Sequence, residues 1–419
     1  MSTEENTKLV PKRRFPEFQG KAAWMEWPGN KLFKQISDKN PEPGLPVLAI
    51  TQEHGAIPRD MIDYNVSVTD KSIESYKVVQ VGDFIISLRS FQGGIEYSQY
   101  HGICSPAYVV LRRCAEGSDA YFKHYLKTDK FIQILTKNLE GLRDGKMISY
   151  KQFSELQIPT PIPAEQQKIA ECLSSLDELI AAQARKVEAL KTHKKGLMQQ
   201  LFLREGETQP RLRFPEFQNT GGWSVCCLDD LLLAASNGLS LPQSDDHTGY
   251  KVTRIETISS ESIDLKKVGY VNASSDISSY FLNVGDILFS NINSVAHIGK
   301  SVFVDKDYGL HHGMNLLRLV VNKKKCDSKF LFYLINTDDI RGSFRERANK
   351  AVNQASINQT ELGKTHVAIP SILEQKRIAA CLSSLDAFLA KATQELDAIK
   401  THKKGLLQQL FPTSEAVMS

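Results

Sequence analysis

Residues 192–202 read THKKGLMQQLF, and residues 401–411 read THKKGLLQQLF, so ten of eleven positions agree at an offset of 209. The same offset pairs CLSSLD at 172–177 with CLSSLD at 381–386. Nearer the start, RFPEFQ at 14–19 recurs unchanged at 213–218, and Trp24 and Trp223 share that offset of 199. VGD at 81–83 returns at 284–286, offset 203. The ends of the module are therefore nearly identical while the middle has diverged. Repetition at about half the chain length means two copies of one module, related by a rough two-fold axis. Such a chain suits a partner that is itself two-fold, and duplex DNA is one.

The repeated ends read as long helices. Apolar positions recur at steps of four and three: Ile169, Leu173, Leu176, Ile180, Gln183, Val187, Leu190, Lys194, Leu197, Leu201. The second copy reads Ile378, Leu382, Leu385, Leu389, Ala392, Leu396, Ile399, Lys403, Leu406, Leu410. This is a heptad sustained over more than four repeats, uninterrupted by proline. Each helix is expected to run about 36 to 40 residues, roughly 55 Å at 1.5 Å per residue. The obvious cover for each apolar seam is the other helix. Lys194 and Lys403 would face each other in a parallel pair, so an antiparallel pairing is expected, with each ammonium snorkelling to water.

Between these ends lie two lobes, about 28–160 and 228–370. Both carry short strand-like runs: 47–50, 84–87 and 108–111 in the first, 287–290, 301–304 and 316–320 in the second. Helical stretches are expected near 119–138 and 327–347. The fold class is α+β: two globular lobes separated by a long antiparallel two-helix coiled coil, with a pseudo-two-fold internal repeat. The segments are 1–163, 164–205, 206–371, 372–412 and a tail, 413–419.

Bulk properties are those of an ordinary soluble protein with a net charge of +4. No apolar run approaches the ~20 residues of a membrane span, and MSTEENTKLVPKRR at the start lacks the apolar core of a secretory signal. Seven cysteines without C-x-x-C spacing argue against zinc and a disulfide framework and fit a reducing cytoplasm. Cys226 and Cys227 read as small buried hydrophobes.

A polar loop follows each VGD strand. In the first copy it offers Arg89, Ser90, Gln92 and Gly94; in the second, Asn291, Asn293, His297 and Lys300. Arg, Gln, Asn and Ser can read base edges, and glycine lets backbone approach a phosphate. Further candidates for the phosphate backbone are Arg143 and Lys146, and Lys350 and Asn353, each just before the long helix of its copy.

Catalytic signatures are missing. Gly299-Lys300-Ser301 resembles the end of a phosphate-binding loop, but Ser294 stands where that motif needs glycine. There is no G-x-G-x-x-G and no H-E-x-x-H, and the histidines form no ligand or triad spacing. No constellation appears in both copies, which points to binding, with no catalytic residue and no metal site.

The chain resembles the DNA-specificity subunit of type I restriction–modification enzymes. The residues that carry the resemblance are LAITQEHG (48–55), VGDFIISLR (81–89) with Ser105-Pro106-Ala107-Tyr108, VGDILFS (284–290), IPTPIPAEQQKIA (158–170) and IPSILEQKRIA (369–379). Both copies hold such motifs in the same order before a long helix. The second lobe departs from the pattern, with VTRIETI (252–258) in place of a TQEHG stretch. The resemblance implies two target recognition domains, each reading half of a split asymmetric DNA site. The paired helices would be the spacer, with Leu173, Leu176, Ile180, Val187, Leu190 and Leu197 facing Leu382, Leu385, Leu389, Leu396, Ile399 and Leu406. It implies two methyltransferase subunits carrying S-adenosylmethionine and two motor-nuclease subunits using ATP and Mg, with no cofactor in this subunit. Two readers should meet the duplex about one turn apart, ~34 Å. The competing classes are a coiled-coil scaffold that never touches DNA, a fused restriction–methylation enzyme, and a free-standing DNA-binding protein.

Overall fold

The computed structural model describes residues 9–62, 75–137, 148–204, 206–258, 262–294, 297–351 and 354–412. They group into two compact units. One holds residues 1–185 together with 394–419; the other holds 186–393. This grouping cuts across the five segments expected from the sequence, because each unit takes the start of one long helix and the end of the other.

In the first unit, β1 (Met25–Pro28) pairs antiparallel with β10 (Gln157–Thr160). A four-stranded antiparallel sheet has the order β2 (Phe33–Ile36), β9 (Val109–Arg113), β6 (Phe84–Ile86), β7 (Glu96–Tyr97). Two further ribbons join β3 (Leu48–Thr51) to β4 (Gly55–Pro58), and β5 (Lys77–Val79) to β8 (Gly102–Cys104). The second unit repeats the plan. β11 (Ser224–Cys227) pairs with β21 (His366–Ile369), and the sheet order is β12 (Leu232–Asn237), β18 (Leu317–Val321), β15 (Ile287–Phe289), β17 (Ser301–Phe303). It adds β13 (Tyr250–Thr253) with β14 (Val268–Val271), and a sheet of β16 (Ile292–Asn293), β20 (Gln354–Ser356) and β19 (Asn349–Ala351).

Each expected helical stretch is two helices: Asp119–Tyr125 and Asp129–Lys137 in the first unit, Ser328–Ile335 and Asp338–Arg347 in the second. Side chains that compete for backbone groups account for the breaks. Thr128 Oγ1 accepts the Phe131 amide, and Asn336 donates to the Phe332 carbonyl.

VGD is a structural turn. Gly82 and Gly285 adopt φ of +96° and +99°, a region open to glycine. The aspartate that follows is buried. Asp83 accepts two bonds from the Arg112 guanidinium, at 2.7 and 2.8 Å, and one from the Gln80 amide. Asp286 accepts the Asn283 amide and lies 3.2 Å from Arg318 Nε.

The long helices span Pro163–Leu201 and Ile372–Leu410, 39 residues each. Every position of both heptad series is buried or half-buried, whereas Glu171, Ser175 and Lys186 between them are exposed. In the first unit Lys403 meets Asp177, and Gln183 Nε2 donates to Glu395 at 3.0 Å. Numbers rise along one helix as they fall along the other, so these segments run antiparallel. In the second unit Lys194 meets Asp386 in the same way. The seam lysines therefore do not snorkel to water. Each is half-buried and paired with the aspartate of the opposing CLSSLD.

The repeated motifs fasten each lobe to a helix start. Arg14 forks both oxygens of Glu165 at 2.7 Å, and Arg213 forks both oxygens of Glu374 at 2.8 Å. The arginines also donate to the carbonyls of Lys21 and Ala22, and of Thr220 and Gly221. Each glutamate lies in the first helical turn, where the helix dipole favours an anion. The next residue finishes the joint. Gln166 donates to Pro161 O and accepts the Ser118 amide; Gln375 donates to Pro370 O and accepts the Asp327 amide.

The helix ends close the cores. Leu410 and Phe411 lie in the cluster of Trp24, Phe33, Phe84, Tyr121, Phe153 and Leu173 in the first unit. Leu201 and Phe202 lie in that of Trp223, Phe289, Phe330 and Leu382 in the second. Burying one phenylalanine contributes about 1.5–3 kcal/mol.

Two consequences are measurable. Arg213→Ala leaves the Glu374 carboxylate buried without its cationic partner, with only the Trp223 Nε1 donor remaining, and should cost about 3–5 kcal/mol in urea unfolding, most of which a second substitution, Glu374→Leu, restores. His124 is buried between Ser174 and the Asp177–Lys403 pair, and burial lowers its pKa from 6.5 to about 4. The unfolded chain then takes up the proton first. The stability contributed is complete above about pH 6.5 and is lost as pH falls towards 4. Tyr333 occupies the equivalent place in the second unit and donates to Asp386. His124→Tyr should therefore flatten the acid side of the first unit's stability curve, while the share due to His312, also lowered to about 4 in the second unit, persists.

Candidate nucleic-acid interface

The loop after β6 is built from two opposite kinds of residue. Ser90 is buried, and its hydroxyl accepts the Ser87 amide at 2.9 Å. Gly94 has φ +81°, and a Cβ there would lie 2.2 Å from the Leu126 carbonyl oxygen. Its lack of a side chain serves packing against Leu126 rather than room for a phosphate. Arg89 and Gln92 are exposed on the short helix Ser90–Gly93 and the residue before it. Of the four residues singled out in this loop, two form its scaffold and two face solvent.

The second unit repeats this division. Asn291 is 6% exposed; its carbonyl accepts the Ile357 amide, and its Oδ1 has no partner among the described residues. Asn293 is half-buried, donating to Ser290 Oγ and accepting the Ser294 amide. His297 is exposed and Lys300 half-buried. Ser301 lies on β17 with its hydroxyl accepting from Asn336 at 2.7 Å, so Gly299–Ser301 is strand entry and not a phosphate loop.

Tertiary structure brings together two stretches that are about 60 residues apart in sequence. Ile292 and Asn293 on β16 pair with Ser356 and Ala355 on β20, whose other edge pairs with β19 carrying Lys350. Behind them the helix Asp338–Arg347 packs Phe344 on Phe289. Arg143, Lys146 and Asn353 lie outside the described residues.

In the first unit the hairpin β3–β4 abuts the 88–94 loop. Gln52 Nε2 donates to the Arg89 carbonyl at 3.3 Å, and Lys127 Nζ donates to the Gln52 carbonyl at 3.3 Å and to Glu96 at 2.6 Å. Burial pushes the Glu96 carboxyl upward and the Lys127 charge opposes that shift. TQEHG, a motif shared in the family resemblance, thus holds the Arg89 loop through Gln52. The signal available in the sequence was its absence from the second lobe.

The remaining motifs are structural. His312 Nε2 is 2.9 Å from the Leu316 carbonyl, and His311 packs edge-on against Tyr250 and Phe281. Burial raises the Cys104 and Cys326 thiols to about 12, which keeps them protonated. Among the described residues no three His, Cys, Asp or Glu side chains form a metal cluster, and no helix is long and apolar enough to cross a membrane.

A duplicated α+β lobe, each fastened to a long helix and each showing a different polar loop, is the build of a DNA-specificity subunit. Residues 28–192 and 220–401 each match the type I restriction modification DNA specificity domain, and the chain belongs to that family. It is 43% identical over 192 residues to the putative type I restriction enzyme MjaX specificity subunit of Methanocaldococcus jannaschii, a match spanning 45% of each chain. The MjaVIII specificity subunit of the same organism is 24% identical over 83% of this chain and 81% of its own. The fold is that of the crystallised type I S subunit from M. genitalium, with TM-score 0.58 and 16% identity over 96% of this chain and 99% of that one. A chain from a type I R-M assembly structure aligns with TM-score 0.53 and 17% identity over 93% and 97%.

Proposed function

We propose that this chain directs a type I restriction–modification complex to a bipartite, asymmetric DNA site. The observation that carries this reading is one frame built twice, with the Arg–Glu fork, the VGD turn and the sheet order retained and the loops unlike. Each unit reads one half-site. The long helices pair along their length as an antiparallel coiled coil and set the gap between the halves. Arg89, Gln92, His297 and Lys300 are solvent-accessible members of the two loops, and phosphate contacts supply most of the affinity. The subunit carries no catalysis of its own. Two methyltransferase subunits with S-adenosylmethionine modify adenine, and two ATP- and Mg-dependent motor-nuclease subunits cleave, in the cytoplasm.

A surface feature present in both units supports two copies of one partner. Gly196 and Gly405 lie inside helices with nothing within 4 Å of where a Cβ would stand. Glycine in a helix interior costs roughly 0.5–1 kcal/mol relative to alanine, and no packing inside the chain requires it. Leu179 and Phe388, equivalent across the repeat, are 49% and 64% exposed. A methyltransferase subunit docking on each unit accounts for the same open glycine and for an exposed apolar side chain, Leu or Phe, at the equivalent position.

Single-molecule sequencing of methylated adenines in host DNA, with and without this gene, tests the reading. A defined split motif should vanish on deletion; an unchanged methylation pattern overturns it. Removing one heptad from both helices should shift the tolerated gap between half-sites, read from the same methylation profile, while leaving the half-site bases as they were.

A further inference from the structure

We infer that the β3–β4 hairpin of the first unit is a major-groove reading head, with Glu53 and His54 as the residues that select bases. This rests on the specificity-subunit reading above and names the residues that would carry it in one half-site.

The hairpin is anchored at its feet and projects at its tip. Leu48 pairs with Pro58, Ala49 with Ile57, Ile50 with Ala56 and Thr51 with Gly55. Leu48, Ala49 and Ala56 are buried. The turn is closed by Thr51, whose hydroxyl donates to the Gly55 carbonyl and accepts the His54 amide at 2.9 Å. Gly55 has φ +70°, and a Cβ there would be 3.0 Å from the Tyr97 carbonyl. The tip is held against the neighbouring loop by Gln52. Its side chain bonds the Arg89 carbonyl and lies where a Cβ on Gly93 would come within 2.7 Å. Lys127 ties the Gln52 carbonyl to the buried Glu96 carboxylate.

With Gln52 clamped, Glu53 and His54 project, their side chains 86% and 52% exposed. A two-stranded ribbon fits the major groove, about 12 Å wide. Arg89 beside the tip is exposed and supplies positive charge for a flanking phosphate. The carboxylate decides the assignment. Glu53 Oε2 lies 3.9 Å from His54 Nε2 and is otherwise open to solvent; an exposed carboxylate on a surface that meets a polyanion is repelled unless it also reaches a base donor. In the major groove the cytosine N4 amino group is such a donor, and a carboxylate is its usual side-chain partner. Glu53 accepts from a cytosine N4, and His54 adds a second contact at the adjoining pair. In the second unit β13 is followed by a 3-10 turn, Ile255–Ile258, and VTRIETI stands in place of TQEHG, so neither Glu53 nor His54 has a counterpart there. The effect of the head is therefore confined to one half-site.

The test uses the full chain assembled with its methyltransferase subunits and S-adenosylmethionine, methylating a library randomised across both half-sites. Glu53→Gln should lower the preference for cytosine at one position of a single half-site by roughly 5- to 100-fold, with the other half-site unchanged. His54→Ala should relax the adjoining position. Arg89→Ala should weaken binding across all sequences and reduce the slope of log affinity against log salt by about 1, without changing base preference. Unchanged base preferences in both Glu53→Gln and His54→Ala, or equal relaxation of both half-sites, overturn the proposal. Thermal melts of both variants matching wild type separate loss of reading from loss of fold. A wild-type complex that methylates no defined site sinks the specificity-subunit reading itself, a result distinct from failure of the hairpin variants alone.

Discussion

Each lobe is held by a guanidinium–carboxylate fork at the first turn of a long helix. Arg14–Glu165 and Arg213–Glu374 are buried in their units, with side chains 8%, 1%, 6% and 1% exposed. A pair so placed stabilises little in net terms relative to an apolar replacement, but losing one member is costly. It is also directional. The two parallel N–H···O bonds fix the angle between the N-terminal segment and the helix, and the adjoining glutamine fixes the lobe's loop. The position of every loop residue that could meet DNA follows from this joint.

The second dependence is on the helix ends. In the first unit the Arg13 amide donates to the Gln409 carbonyl, and Lys130 donates to the carbonyls of Gln408 and Phe411. In the second, the Leu212 amide donates to the Gln200 carbonyl. A helix C-terminus has unsatisfied carbonyls, and here a lobe satisfies them. The core of each unit is completed by Phe411 or Phe202, side chains carried at the end of the other copy's helix. Neither copy of the repeat closes its core alone. That constraint explains why Leu201-Phe202 returns as Leu410-Phe411 while the lobe middles have diverged.

Divergence is tolerated where it is locally compensated. His124 is replaced by Tyr333 against the same aspartate and serine pair, one ring neutral through burial and the other donating a hydroxyl. The polar loops go further, because nothing in the core constrains Arg89, Gln92 or His297. A frame with invariant joints and free loops can change what it reads without changing how it is held.

The sequence by itself determined the duplication, the two helices and their seam, the main strands and the family. Those features are written in period and repetition, which survive without knowledge of contacts. It misplaced the seam lysines, since the aspartates that pair with them lie on the opposing helix, and it joined helices that Thr128 and Asn336 interrupt. Only the tertiary structure decided that Ser90, Gly94 and Asn291 face inward and that Gln52 and Lys127 adjoin Arg89. It also decided that each lobe is finished by the other copy's helix. Loop composition is alike for scaffold and surface; burial, set by partners distant in sequence, separates them.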